Sequence, residues 1–208
     1  MKLFIALVCI LSLVCCSIGA SVDIQVSKDA QVTYQSKGCP YPTCPNLGSS
    51  PTIVIGNYEI TSEGYFGFDL SAIPANAAIT SATLKLPSGS SPVGSQPITL
   101  SVYQIVDNDA WSESTIIWDN KPSFHSTALG TSTFIAPGPA SPLDVTQAVS
   151  GATSSGSIGF RVIASLNVFL NSKESSSGGA VLSIEYTPGS PQCNCPDGME
   201  CCGEQCYS

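Results

Sequence analysis

The chain has 208 residues, a formal net charge of −8 and only 11% charged residues. Seven Lys and Arg stand against fifteen Asp and Glu. Affinity for phosphate grows with the number of cationic contacts, so this balance excludes nucleic acid and anionic membranes as partners.

The N-terminus begins with Lys2 and an apolar run from Leu3 to Val14, followed by the small residues Ser17-Ile18-Gly19-Ala20. This pattern reads as a secretory signal peptide over residues 1–20. The run is too short to cross a bilayer, and no later run reaches membrane length. A lipoprotein signal on Cys15 or Cys16 fits less well, because Val14 stands where a small residue is wanted. The rest is long enough for one domain with its own core and a small appendage.

Val22–Val26 and Gln31–Gln35 alternate as two short strands, split by Lys28-Asp29. Cys39-Pro-Tyr-Pro-Thr-Cys44 follows. In a secreted chain this spacing reads as a disulfide closing a tight loop, contributing about 2 kcal/mol in the chain-entropy model. The competing reading, a metal pair, lacks a neighbouring Cys or His cluster to complete it. Thr52–Gly56 is a further strand.

Glu63 to Leu86 then reads as a hairpin with one buried side. Phe66, Phe68 and Leu70 share one face, with Tyr65, Gly67 and Asp69 opposite. Ala82, Leu84 and Leu86 share a face, with Thr83 and Lys85 turned away. Pro74 breaks the run, since it cannot donate to a ladder. Beyond a Ser/Gly/Pro loop over 87–97, Ile98–Val106 alternates again. Asp107-Asn-Asp109 turns into a segment holding Trp111 and Trp118. Thr131–Ala136 is a short strand, and Pro142–Val149 starts extended and ends in a helical turn. Ser157–Ser165, Asn167–Leu170 and Val181–Thr187 complete the set. Eight to ten short strands with Gly/Pro/Ser turns and no long helix predict an all-β fold, a jelly-roll-like antiparallel β-sandwich over residues 21–187.

Residues 188–208 form a Pro/Gly linker and a tail holding Cys193, Cys195, Cys201, Cys202 and Cys206. Removing the leader takes Cys9, Cys15 and Cys16 from the ten cysteines and leaves an odd seven. Their pairing is open, and an odd count implies a free thiol or a disulfide-linked self-association through the tail.

Four blocks carry a family resemblance. They are Ile53-Val-Ile-Gly56; Phe68-Asp-Leu-Ser-Ala-Ile-Pro74 with Ile79-Thr-Ser-Ala-Thr-Leu-Lys-Leu86; Trp111-x-Glu113 with Trp118-x-Asn120-x-Pro122; and Leu143-Asp-Val-Thr146 with Ser172-Lys-Glu174 and the last strand. Together they resemble the DNRLRE-type domain, a carbohydrate-binding module of family 96. Ile117 departs from it where Thr is usual, and Glu63-Gly64-Tyr65 departs where a basic residue is frequent. The resemblance implies a secreted, non-catalytic jelly roll, and some members bind alginate-like chains. This acidic surface would repel a polyanion, so a neutral polysaccharide or cell-surface glycan is the expected partner.

The site residues follow from the alternation. Tyr65 and Tyr103 fall opposite the apolar faces of their strands and are candidates to meet a sugar; the alternative is cross-strand packing. Arg161 alternates outward beside Phe160 and could serve the same face. Phe66, Phe68, Trp111 and Trp118 read as packing residues, and Asn120 and Pro122 as turn formers. Acids near turns (Asp23, Asp29, Asp69, Asp107, Asp109, Asp119 and Asp144) leave room for a structural calcium ion without fixing a ligand set. No other cofactor is implied. The lone His125 lies in a loop, and no Gly-x-Ser-x-Gly elbow or HExxH accompanies it, so no catalytic residue is assigned. The other class of function is a structural, self-associating coat or extracellular matrix protein without a specific glycan.

Overall fold

A computed structural model describes residues 19–34, 45–57, 60–189, 200–202 and 205–207. Residues 1–18 of the expected leader, Cys39, Cys44, Cys193 and Cys195 lie outside the described residues, and with them the expected disulfides.

Two antiparallel sheets face each other, as the all-β sandwich reading expects. The smaller has four strands in the order β1 (Ala20–Gln25), β12 (Val181–Thr187), β5 (Ala78–Lys85) and β9 (Leu143–Asp144). The larger has eight. Seven run in the order β6 (Gly89–Ser90), β11 (Val168–Asn171), β3 (Thr52–Asn57), β4 (Thr61–Asp69), β10 (Ser157–Ala164), β7 (Ile98–Gln104) and β8 (Gly130–Phe134); the eighth, β2 (Lys28–Tyr34), pairs with β4. A short helix, α1 (Thr146–Ala152), packs Ala148, Val149 and Ala152 into one end. At the C-terminus β13 (Glu200–Cys202) pairs with β14 (Gln205–Tyr207).

The sandwich core is built by the period-two pattern. Ile24, Ala82, Leu84, Leu182 and Ile184 from the small sheet meet Ile55, Phe66, Phe68, Leu100, Phe160 and Leu170 from the large one. Phe68 and Phe160 contact edge-on with centroids 5.9 Å apart, a geometry that adds to simple area burial.

The hairpin expectation is corrected. β4 and β5 do not pair with each other; they belong to different sheets. The segment between them crosses from sheet to sheet through two turns, with Ile73 N–H donating to Leu70 and Ala77 N–H to Pro74. The split at Lys28-Asp29 is also corrected: both residues are in β2, and the break falls at Val26-Ser27. Ser27 N–H donates to Gly67 at 2.8 Å and starts the new pairing.

The strand β4 is buried on both faces rather than one, from Ser62 to Phe68. A covering segment from Ile105 to Phe124 folds back over the outer face of the large sheet. It makes a second apolar cluster of Ala30, Val32, Tyr65, Ile105, Trp111 and Ile116, with Trp118 packed against it. Two glycines admit this cover. Gly67 and Gly159 are direct partners in the β4–β10 register. A Cβ on Gly159 would lie 2.3 Å from Asn108 Oδ1, and one on Gly67 would lie 2.9 Å from the same atom. Only a bare backbone lets Asn108 approach so closely.

Candidate functional site

Three polar assemblies stand out on this framework. The first pins the covering segment to the sheet. Glu63 on β4 is 3% exposed. Arg161, on the neighbouring β10, donates Nε–H to Glu63 Oε2 at 2.7 Å and a second bond from Nη2 to Oε1. This is the two-pronged guanidinium–carboxylate pair that geometry favours. Lys121 Nζ adds a bond to Oε2 at 3.1 Å, and the Tyr65 hydroxyl donates to the same oxygen at 2.9 Å. Burial alone would push the Glu63 carboxyl up; hydrogen bonds and charge from Arg161 and Lys121 outweigh it and hold it below the ordinary glutamate value. Burial, and then the charge of Glu63, push the Tyr65 phenol up, so it remains a proton donor. Aromatic rings close the assembly. Arg161 lies 4.0 Å from the centroid of Phe124, and Lys121 Nζ lies 3.1 Å from that of Trp118.

Tyr65 therefore does not meet solvent: it is fully buried, edge-on to Trp111 at 6.2 Å. Its strand face is the one foreseen, but the covering segment closes that face, so its ring is not presented to a sugar. Tyr103 packs edge-on against Phe124 at 5.7 Å, and Arg161 is committed to Glu63. Tyr103 and Arg161 are thus brought together, yet by a structural contact. Trp111 is buried, Trp118 half-buried, and Trp111 Nε1–H donates to Asn108 Oδ1 at 3.2 Å. Asn120 shapes its turn, accepting from Ile117 N–H at 2.7 Å and donating to Thr115 at 3.0 Å. The turn acids Asp107 and Asp109 are used locally: Asp107 caps Asp109 N–H, and Asp109 accepts from Ser157.

The second assembly was not legible as a site in the sequence. It lies on the outer face of the four-stranded sheet. The register aligns Asp23, Ser183, Thr83 and Asp144 in one row across four strands, with Ser21, Glu185 and Ser81 in the next. Ser21, Asp23, Ser81, Thr83, Lys85, Ser183 and Glu185 line a depression of about 310 Å³. The Ser183 hydroxyl donates to Asp23 Oδ1 at 2.5 Å and fixes that carboxylate. Hydroxyls, carboxylates and an ammonium together offer donors and acceptors at strand spacing, about 4.8 Å across the sheet.

The third assembly gathers carboxylate oxygens of Asp29, Glu113 and Glu174 within 4.8 Å of one another, beside Lys173. Burial pushes the Asp29 carboxyl up to about 7 against the opposing bond from Lys173 N–H.

A model of carbohydrate-binding module family 96 matches residues 20–186. The chain belongs to that family. The match begins with β1 and ends within β12, so the family-96 module is coextensive with the two-sheet body and excludes the cysteine-rich tail. No curated protein sequence matches the chain. Among the described residues of this family-96 module, no helix is long and apolar enough to cross a membrane.

Proposed function

We propose that this protein is a secreted, non-catalytic module that binds a neutral polysaccharide on the outer face of its four-stranded sheet. Family membership supports carbohydrate as the ligand class. The observation that carries the location is the polar depression whose side chains fall in register across β1, β12 and β5. Its volume of about 310 Å³ is at the lower end of ligand sites, which suits a shallow platform for an extended chain. Asp23 and Glu185 outnumber Lys85 there, which disfavours a polyanion and favours hydroxyl-rich neutral sugar. On the outer face of the large sheet, Tyr65 and Tyr103 are engaged by Trp111 and Phe124 of the covering segment. Secretion is supported by the charged, then apolar, N-terminal pattern.

Retention of the full chain on insoluble neutral glycans and on alginate, each with and without EDTA, tests the reading. At least one neutral glycan should retain it. Asp23→Ala and Thr83→Ala should each weaken retention by about fivefold, the scale of one contact residue. EDTA-insensitive retention on alginate alone would contradict the proposal.

The tail's cysteines support covalent self-association, which would make a weak glycan contact multivalent. Secreted protein should migrate as a larger species without reductant, whereas a chain ending at Thr187 should not. A monomer with one titratable thiol is the contrary result.

A further inference from the structure

Three distant segments bring carboxylates to one spot: Asp29 on β2, Glu113 in the covering segment and Glu174 in the turn after β11. One oxygen of each lies within 4.8 Å of the others. A single ammonium serves them among the described residues. Lys173 Nζ is 2.9 Å from Glu113 Oε2 and also pairs with Glu174 Oε1. Three carboxylates share one ammonium, which leaves the cluster short of positive charge.

The oxygens can be accounted for one by one. Glu113 Oε1 accepts Asp29 N–H at 2.9 Å, and Asp29 Oδ2 accepts Lys173 N–H at 2.8 Å. Asp29 Oδ1 has no hydrogen-bond partner among the described residues, although Asp29 is only 1% exposed. Buried polar atoms in folded proteins are almost always satisfied, and an unsatisfied carboxylate oxygen is costly. The orphan belongs to the one carboxylate that is fully enclosed, while Glu113 and Glu174 keep contact with solvent.

We propose that a divalent cation of the calcium class binds among Asp29, Glu113 and Glu174, with Asp29 Oδ1 as its buried ligand. The donor set is all oxygen, which selects a hard cation over zinc. The two partly exposed glutamates can shift, and water can reach them to complete a shell of six to eight oxygens. That adaptability favours Ca²⁺ over the rigid octahedron of Mg²⁺. The ion would tie the start of β2, the covering segment and the β11 turn together. Lys173, on a flexible stem, is then the competitor that stands in for the ion when calcium is scarce.

The test is a calcium titration of the full-length protein, stripped with EDTA and dialysed, read by calorimetry and by thermal melting. The expected result is one calcium per chain with Kd of about 10⁻⁴–10⁻³ M, the range of extracellular modules. Melting should rise by about 5–10 °C at a hundredfold excess over Kd. Asp29→Asn should abolish both responses. Glu174→Gln, at an exposed position, should weaken binding about tenfold and serves if the Asp29 variant does not fold. Lys173→Met should tighten calcium binding, because it removes the competing ammonium. No calcium bound above the dialysis buffer with an unchanged melting temperature would overturn the proposal. So would a Lys173→Met variant that is less stable and gains no calcium affinity, since Lys173 would then be the cluster's own counter-ion.

Discussion

Glu63 illustrates what one buried charge does in a fold with few charges. Its side chain is 4% exposed, against 11% for Arg161 and 18% for Lys121, so little solvent screens the Arg161 pair. Removing one partner of such a pair strands the other. Glu63→Gln should therefore destabilise the domain by about 3 kcal/mol, a fall of about 6–12 °C in melting temperature. Lys121→Met loses one longer bond at a more exposed position and should cost about 1 kcal/mol. The pH dependence has a definite sign. The folded Glu63 carboxyl is held below its unfolded value of about 4.3, so its stabilisation is fully present above that value. It is lost as pH falls through the folded value. The gap between the melting temperatures of the wild type and Glu63→Gln should narrow as pH falls below about 4.3; a gap of constant size down to about pH 2 would show that the carboxylate charge is not what stabilises.

At the scale of elements, the strands were legible because period-two alternation is a local signal. Phe66, Phe68, Ala82 and Leu84 are buried in the phases their sequence implies. Which strand pairs with which was not local. Phe68-Asp-Leu-Ser-Ala-Ile-Pro74 carries turn residues that suit a hairpin and a sheet-to-sheet crossing equally well, and only the partners β10 and β12 decide between them. Tyr65 failed for a related reason: alternation reveals that it faces away from Phe66, but what closes that face is a segment some forty residues downstream. Glu113 and Lys173-Glu174 stood out as motif residues without showing that they converge on Asp29. The covering segment depends on the Gly67–Gly159 pair beneath it. Gly159→Val should displace Asn108 and Ile105 and cost about 2–3 kcal/mol, in the range of overpacking. Chemical denaturation would measure it, with protease cleavage near Asn108 reporting local opening. Stability equal to wild type would mean the segment is not seated on that floor.

For the whole molecule, the two faces of the sandwich divide the work. On its outer face the large sheet commits Tyr65, Tyr103 and Arg161 to Glu63 and the covering segment. The small sheet leaves a polar, register-aligned face open. A carbohydrate-binding family, an acidic chain and an uncovered file of hydroxyls and carboxylates together favour a neutral glycan held mainly by hydrogen bonds. The most direct measurement is an amide chemical-shift titration of the family-96 domain with soluble neutral oligosaccharides, assigned residue by residue. The account predicts saturable shifts clustered on Ser21, Asp23, Ser81, Thr83, Ser183 and Glu185. Shifts centred instead on Tyr103, Phe124 and Arg161, or shifts produced only by a polyanionic oligosaccharide, would contradict it.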